Sequence, residues 1–285
     1  MILKLKNYFS LIKFSHSLFA LPFALSSMLV AAHGFPPLRT FFLIVVAMIL
    51  ARSSAMAFNR LVDSDIDAQN PRTQMREIPQ KILSKKQVFA FFVVSSLFFA
   101  AVTFFINRLC FFLSPVALTI ILFYSITKRF TSLSHFFLGL GLGISPVGSW
   151  LAVTGEWSWK PVVLGIAVLF WVASFDIIYA TQDYEFDKKS GLHSLVVRLG
   201  LSNALHLSSL LHLLTFLLLI FFGLLTGMGW TYYGANLLIG FFLFYQHRLV
   251  KPDNLSRVNA AFFTANGVVS ILFLVGTAIG IFFKD

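Results

Sequence analysis

Two short segments of the chain carry acidic side chains at helical spacing. In the first segment, Asn59, Asp63 and Asp67 are four positions apart. Residues four apart lie on the same face of a helix, so the amide and the two carboxylates are expected to converge. Asp65 points away from that face and is predicted to be solvated. Oxygen ligands of this kind suit a hard divalent cation.

The second acidic segment follows the same rule. Asp176, Tyr179, Asp183 and Asp187 are separated by three, four and four positions, which places them on one helical face, whereas Glu185 falls off it. Clustered carboxylates repel one another unless a cation lies between them. Mg2+ typically takes one or two carboxylates and completes its shell with water and phosphate. Together the two segments predict a diphosphate site that contains Mg2+.

The elements that must position these segments are apolar helices. Of the 285 residues, 58% are hydrophobic and 12% are charged, which excludes a soluble globular domain. The apolar runs are continuous instead of alternating, so they predict helices and not a membrane barrel. We predict an all-α, polytopic membrane helical bundle of about nine transmembrane helices, since each needs roughly 20 apolar residues. The predicted spans are 11–32, 38–58, 87–106, 110–127, 134–153, 161–181, 203–226, 229–247 and 258–283.

The spans are expected to form one domain, residues 1–285, because the longest polar interval is only the loop near 59–86. The net charge of +11 could indicate a nucleic-acid partner. However, the basic residues are divided among membrane loops instead of forming one stripe, so no nucleic acid is expected. Most Lys and Arg fall on the amino-terminal side of the predicted spans, and the positive-inside rule makes that side cytoplasmic. Both acidic segments lie at span ends on the same side.

Several segments resemble the UbiA superfamily of intramembrane prenyltransferases. In that superfamily, two aspartate-rich motifs follow the second and sixth helices on the cytoplasmic side, and both placements match the predicted spans. Within it, the chain looks most like bacterial 4-hydroxybenzoate polyprenyltransferases, including a branch that acts on a related naphthoate. The chain departs from the pattern at Arg60, where many members carry a second Asp, and this leaves the number of metal ions open. The segments that carry the resemblance begin at Lys13, Asn59, Asn70, Arg76 and Phe175.

The resemblance implies a reaction and a set of site residues. The implied reaction is Mg2+-dependent transfer of a polyprenyl chain from polyprenyl diphosphate to the ring of 4-hydroxybenzoate, releasing diphosphate, in respiratory quinone (ubiquinone or menaquinone) biosynthesis. It would take place at the cytoplasmic face of a bacterial inner membrane, with membrane lipid around the chain. The implied Mg2+ ligands are Asn59, Asp63, Asp67, Asp183 and Asp187. Asp176 either assists proton loss from the acceptor or orients Tyr179 and Asp183.

Other residues are expected to bind the two substrates. The diphosphate candidates are Asn59, Arg60, Arg72, Arg76, Tyr124, Lys128 and Tyr179. For Lys128, phosphate binding and simple positive-inside topology explain the position equally well. The carboxylate of the small aromatic acid needs a cation or polar pocket on the cytoplasmic side. Lys13, His16 and Arg52, from the first two spans, are the acceptor candidates.

Two alternatives stay open. The same chemistry on dihydroxynaphthoate, in a menaquinone pathway, would use the same motif residues. A cation-coupled transporter also carries carboxylates in its membrane region. A transporter would favour carboxylates near the midplane and broken helices in matching halves of the chain. The acidic residues here fall at span ends on one side, which favours substrate binding from the cytoplasm.

Overall fold

The computed structural model describes residues 2–12 and 19–283, and these residues form helices without a strand. The all-α fold class is confirmed. A 3-10 turn at Thr181–Asp183 and a π-helical turn at Ala260–Ala265 join some of the helices. The α-helices are α1 (Ile2–Leu11), α2 (Leu21–Ala32), α3 (Leu38–Val62), α4 (Ser64–Gln69), α5 (Lys85–Ile106), α6 (Arg108–Thr127), α7 (Ser134–Thr154), α8 (Trp159–Ala180), α9 (Tyr184–Lys189), α10 (Leu195–Thr226), α11 (Trp230–Leu249) and α12 (Asn266–Phe282).

Within the described residues, helices lie where the membrane spans are predicted. Seven helical segments of the described chain are long and apolar enough to cross a membrane. The two remaining predicted spans contain α2, which has 12 residues, and α11, which has 20. At 1.5 Å per residue, α11 is about 30 Å long, the thickness of a hydrocarbon core, although its ends are less apolar. The structure is a polytopic membrane bundle, as predicted.

Helix boundaries follow from local capping residues. Ser84 and Gln87 form a capping box at the start of α5, and Asn107 caps α6 by accepting a hydrogen bond from the Cys110 backbone N–H at 2.8 Å. Gly155 ends α7 with φ +68°, a left-handed conformation that glycine adopts without steric cost. These caps fix the lengths of the helices that carry the site.

Helix α8 lies at the centre of the bundle. It packs against α7 and α10, and its side chains Val168, Trp171 and Ile177 are fully buried. The contact with α7 is close because Gly143 and Gly165 face each other. A Cβ added to Gly143 would lie 2.5 Å from the carbonyl oxygen of Gly165. Such small-residue contacts let membrane helices approach closely, so α8 is held firmly as it leads into the second acidic segment.

The first acidic segment keeps its helical register across a helix boundary. Asp63 separates α3 from α4, yet its N–H donates to the Asn59 carbonyl at 2.9 Å and the Asp67 N–H donates to the Asp63 carbonyl at 2.8 Å. Helical spacing is therefore retained through the junction. In the second segment, the helical path continues from α8 through the Thr181–Asp183 turn into α9. Both acidic segments lie at the same end of the bundle.

Candidate active site

A polar cavity of about 210 Å³ opens where the two acidic segments meet. It is enclosed by the ends of α3, α6, α7 and α8, by α4 and α9, and by the loop that follows Asn70. The sequence-predicted residues that line it are Asn59, Asp63, Asp67, Arg72, Arg76, Tyr124, Lys128, Asp176, Asp183 and Asp187. One cavity therefore gathers residues that are more than 100 positions apart in the chain.

Asp63 occupies the most buried position among these carboxylates, with 3% of the residue exposed. Its Oδ2 accepts hydrogen bonds from Lys128 Nζ at 2.7 Å and from Asn59 Nδ2 at 3.0 Å. Its Oδ1 is buried and has no hydrogen-bond partner within residues 2–12 and 19–283. Lys128, whose position the sequence explained equally well by topology, thus contacts Asp63 at the wall of the cavity.

Asp67 is held by a guanidinium from the loop that follows α4. Arg76 Nη1 lies 2.8 Å from each carboxylate oxygen of Asp67. Thr73 adds a hydrogen bond from its hydroxyl to the Asp67 backbone carbonyl at 3.2 Å. The loop therefore folds back over the first acidic segment instead of extending into solvent.

Arg72 joins the loop to the second acidic segment. Its Nε donates to Asp183 Oδ1 at 2.8 Å, its Nη2 donates to Asp183 Oδ2, and its Nη1 donates to the Tyr179 hydroxyl at 3.0 Å. Asn70 Nδ2 donates to the same Asp183 Oδ1 at 3.0 Å. Burial alone would lower the pKa of Arg72, but the hydrogen bond and charge of Asp183 outweigh it, so that pKa is raised. A bidentate pair of this kind fixes orientation as well as charge.

The acidic residues expected to be solvated lie outside the cavity. The Asp65 side chain is 83% exposed and pairs with Lys85 Nζ at 3.0 Å. The hydrogen bond and the charge of Lys85 lower the pKa of Asp65. Glu185 is exposed as well. Neither residue lines the cavity, and the exposure of Asp65 agrees with the prediction that it is solvated.

A histidine that the sequence analysis did not select completes the wall of the cavity. His135 Nδ1, in the first turn of α7, lies 2.7 Å from Asp176 Oδ2 on α8. Only 4% of His135 is exposed. The two residues belong to different helices, so no sequence spacing links them. The available signal was a histidine at the start of a predicted span, a few residues after Lys128 and on the side of the acidic segments.

The remaining candidates occupy other positions. Tyr179 is not among the residues that line the cavity, but its hydroxyl accepts a hydrogen bond from Arg72, which does line it. Arg52 and Arg60 lie on α3 but are not among the residues that line the cavity, and Arg60 is 4% exposed. Their roles stay predictions. The acceptor candidates Lys13 and His16 lie outside the described residues.

The donor set of the cavity fits Mg2+. The described residues contain no group of three or more His, Cys, Asp or Glu placed to hold a metal by themselves. Mg2+ takes few protein carboxylates and obtains its other ligands from water and phosphate, so this arrangement suits an ion that arrives with a diphosphate. The unpartnered, buried Oδ1 of Asp63 is a ligand of the required kind.

Comparisons with known proteins agree with this geometry. The model of the UbiA prenyltransferase family matches residues 20–268. The 4-hydroxybenzoate octaprenyltransferase of Hydrogenovibrio crunogenus is 27% identical over 254 residues, which are 89% of this chain and 88% of that protein. The match therefore includes both acidic segments and most of the bundle.

Solved structures with the same fold cover nearly the whole chain. A UbiA homolog from Aeropyrum pernix K1 superposes with a TM-score of 0.83 at 31% identity, over 92% of this chain and 96% of that one. A UbiA homolog from Archaeoglobus fulgidus, solved with DMAPP and Mg2+, has a TM-score of 0.77 at 21% identity, over 96% of this chain and 99% of that one. At that identity the second comparison supports the fold alone.

Proposed function

The chain belongs to the UbiA prenyltransferase family, and from this premise we propose that it transfers a polyprenyl chain from polyprenyl diphosphate to the ring of 4-hydroxybenzoate. The observation that carries the proposal is the cavity in which two acidic segments are joined by Lys128, Arg72 and Arg76. The similarity to a 4-hydroxybenzoate octaprenyltransferase supports this choice of acceptor. The product would serve respiratory quinone synthesis at the cytoplasmic face of a bacterial inner membrane.

The cationic side chains of the cavity would bind the diphosphate of the donor. Lys128, Arg72 and Arg76 each lie against a carboxylate and also line the cavity. Guanidinium groups bind phosphate through two parallel hydrogen bonds, whereas an ammonium acts as a point charge. On donor binding, these groups would share their hydrogen bonds between the carboxylates and the phosphate oxygens.

The side-chain oxygen atoms of the two acidic segments are the candidate metal ligands. Mg2+ would be held by carboxylates of the two segments, with the Asn59 amide oxygen as a further donor, and would neutralise charge on the departing diphosphate. The candidate carboxylates are Asp63, Asp67, Asp183 and Asp187, all at the cavity wall. Asn59 Nδ2 donates to Asp63 Oδ2, which leaves the amide oxygen of Asn59 available for a cation.

The apolar part of the wall would protect the allylic cation that forms as diphosphate leaves. Ile66, Leu138, Phe186 and the ring of Tyr124 line the cavity beside the polar groups. An aromatic face attracts a cation, and a dry wall prevents water from capturing it. The reaction would therefore yield the prenylated acceptor and not the prenyl alcohol that forms when water captures the cation.

The acceptor carboxylate would bind deeper in the bundle. Arg52 lies seven residues before Asn59 on α3, about 10 Å along the helix axis at 1.5 Å per residue. Arg52 is half-buried inside a membrane span, and an arginine in such a position marks a functional site by default, because its charge is unfavourable there. With the carboxylate at Arg52, the aromatic ring of the acceptor would lie between Arg52 and the donor.

The test is a reaction with purified protein. The protein is incubated with Mg2+, a polyprenyl diphosphate and either 4-hydroxybenzoate or dihydroxynaphthoate, and lipid products are measured by mass spectrometry with and without EDTA. We expect EDTA-sensitive prenylation of 4-hydroxybenzoate. Product from the naphthoate alone would retain the chemistry and change the acceptor. Failure of the protein to bind polyprenyl diphosphate would refute the proposed prenyl transfer and favour a transporter.

Two matched variants compare a carboxylate that lines the cavity with an exposed carboxylate of the same segment. Asp63→Asn removes a buried charge and a metal ligand, and we expect it to lower turnover at least 100-fold, as loss of a key electrostatic group often does. Asp65→Asn changes an exposed residue two positions away and should retain wild-type turnover. Equal activity of the two variants would contradict the proposed metal site.

A further inference from the structure

A histidine and an aspartate from neighbouring helices form a pair that the diphosphate site does not use. His135 Nδ1 and Asp176 Oδ2 are 2.7 Å apart, and both residues line the cavity. Asp63, Asp67 and Asp183 each pair with a lysine or an arginine. In the described chain, the ion pair of Asp176 is with His135 instead. At this wall of the cavity, the partner of the carboxylate is therefore a histidine and not a lysine or an arginine.

The contact fixes which nitrogen of His135 can accept a proton. An ionised carboxylate can only accept hydrogen bonds, so Nδ1 must carry the hydrogen that Asp176 receives. In a neutral imidazole, the other nitrogen, Nε2, then has a free lone pair. Nε2 is buried, and nothing in residues 2–12 or 19–283 hydrogen-bonds to it. A buried acceptor without a partner is unfavourable, which indicates that a ligand supplies the missing donor.

We propose that His135 accepts the phenolic proton of the aromatic acceptor and that Asp176 positions its ring. The inference rests on the proposed function, which supplies an acceptor with one hydroxyl next to the ring carbon that reacts. A carboxylate bonded to one nitrogen of a histidine sets the tautomer and raises the basicity of the other. Asp176, the residue that the sequence suggested for proton removal, is thereby a positioning residue, and His135 is the catalytic one.

The proposed step balances in atoms and electrons. The ring carbon ortho to the hydroxyl forms a bond to C1 of the prenyl chain, and the bond between C1 and the diphosphate oxygen breaks with its electron pair on diphosphate. The phenolic proton passes to Nε2 of His135, which leaves a cyclohexadienone. The ring carbon then loses its hydrogen as a proton, the oxygen regains one from His135, and the aromatic ring is restored. One proton is released for each diphosphate.

The arrangement also explains why proton transfer would be efficient at this place. A general base works best when it is held in a fixed orientation and shielded from water. His135 is almost completely buried, and its ring is fixed by Asp176 from an adjacent helix. The close packing of α7 against α8 holds the two residues in this register.

The test compares two acceptors in one variant. His135→Gln retains a polar side chain but removes the base, and we expect kcat with 4-hydroxybenzoate to fall about 100-fold, within the usual range for general-base loss. The donor Kd should stay within twofold of wild type. Fluorination ortho to the hydroxyl makes the phenol more acidic, so with 3-fluoro-4-hydroxybenzoate the ratio of wild-type to variant kcat should shrink at least fivefold. His206→Gln, at an exposed position on α10, is the control.

Other outcomes would overturn the inference. An unchanged kcat in His135→Gln, or an equal loss with both acceptors, would assign His135 a structural role. Asp176→Asn provides a second measurement if the first variant unfolds. It retains the side-chain shape but weakens control of the tautomer, so kcat should fall while donor Kd is unchanged. A wild-type protein that prenylates neither acceptor would refute the proposed function, and with it this role of His135.

Discussion

Replacement of Arg72 by lysine tests the geometry of the cavity, because it keeps the charge and removes the planar fork. Arg72 makes two hydrogen bonds to Asp183 and one to the Tyr179 hydroxyl. Its guanidinium carbon also lies 5.0 Å from the centre of the Tyr179 ring. A lysine ammonium has no planar fork and is not expected to satisfy all three acceptors from the same position.

The expected loss can be worked from these contacts. Arg72→Lys removes about two charge-assisted hydrogen bonds, each contributing roughly 1.5–3 kcal/mol when well shielded. The Arg72 side chain is 31% exposed, so solvent screening reduces this contribution. We therefore expect a net loss of about 1.5–3 kcal/mol in transition-state stabilisation. That corresponds to a fall in kcat/KM for the donor of about 10- to 150-fold, since about 1.4 kcal/mol is tenfold.

The assay measures initial rates of prenylated product at varied donor concentration, together with thermal unfolding in detergent. Arg129→Lys is the matched control, because Arg129 is exposed and does not line the cavity, and within the described residues its guanidinium hydrogen-bonds only to the Val62 carbonyl. The control should keep wild-type kcat/KM. An Arg72→Lys variant with kcat/KM within twofold of wild type would refute the reasoning, because a positive charge without the planar guanidinium would then be enough for donor turnover.

Two further predictions concern the bundle that holds the site. Gly143→Ala places a Cβ 2.5 Å from a carbonyl oxygen of α8, so it should lower the unfolding temperature in detergent by several degrees and reduce activity. The control is Gly148→Ala, whose added Cβ would meet no neighbouring atom within 4 Å and should change neither property. Asn266→Leu removes the acceptor of two buried hydrogen bonds, from Trp171 Nε1 at 2.9 Å and Gln246 Nε2 at 3.1 Å. We expect a loss of about 1–2 kcal/mol in unfolding free energy, measured by denaturant titration, whereas Asn203→Leu at an exposed site should have no effect.

The sequence predicted the bundle well because membrane spans carry their signal locally. A run of about 20 apolar residues identifies a span without knowledge of its neighbours. The boundaries were less accurate where the signal is weak. Helix α10 begins at Leu195, eight residues before the predicted span, and contains a non-helical Gly200 with φ +77°. Polar residues around that glycine masked the helix in a search for apolar runs.

The site was predictable to the extent that its residues repeat at helical spacing. Asn59, Asp63 and Asp67 share a face because backbone hydrogen bonds continue through the α3–α4 junction. The pairing of Arg72 with Asp183 spans 111 positions, and that of His135 with Asp176 spans 41, each between different elements. Such contacts depend on how helices pack, and no periodicity in one sequence encodes them. The sequence therefore supplied Arg72 and Asp183 as separate candidates without predicting their contact, and it supplied only Asp176 of the second pair.

Charge pairing explains how so many ionised groups can lie at the edge of a membrane domain. A buried carboxylate is unfavourable unless a cation and hydrogen bonds accompany it, and removal of one partner from such a pair strongly destabilises a protein. Asp63, Asp67 and Asp183 each meet this requirement through a separate lysine or arginine. These cations line the cavity, so under the proposed function they would bind phosphate oxygens while the carboxylates would bind metal, which would keep the total charge compensated.

His135 differs from these cations in one respect that matters for the reaction. A lysine ammonium and an arginine guanidinium have hydrogen-bond donors and no acceptor, so they can stabilise a leaving group but cannot take a proton from the acceptor. A neutral histidine fixed by a carboxylate can do so. The cavity thus has lysine and arginine side chains beside the acidic segments and, on α7, a histidine whose Nδ1 is bonded to Asp176. The two halves of the proposed reaction, departure of diphosphate and loss of a proton, would be served by different helices that meet at one cavity.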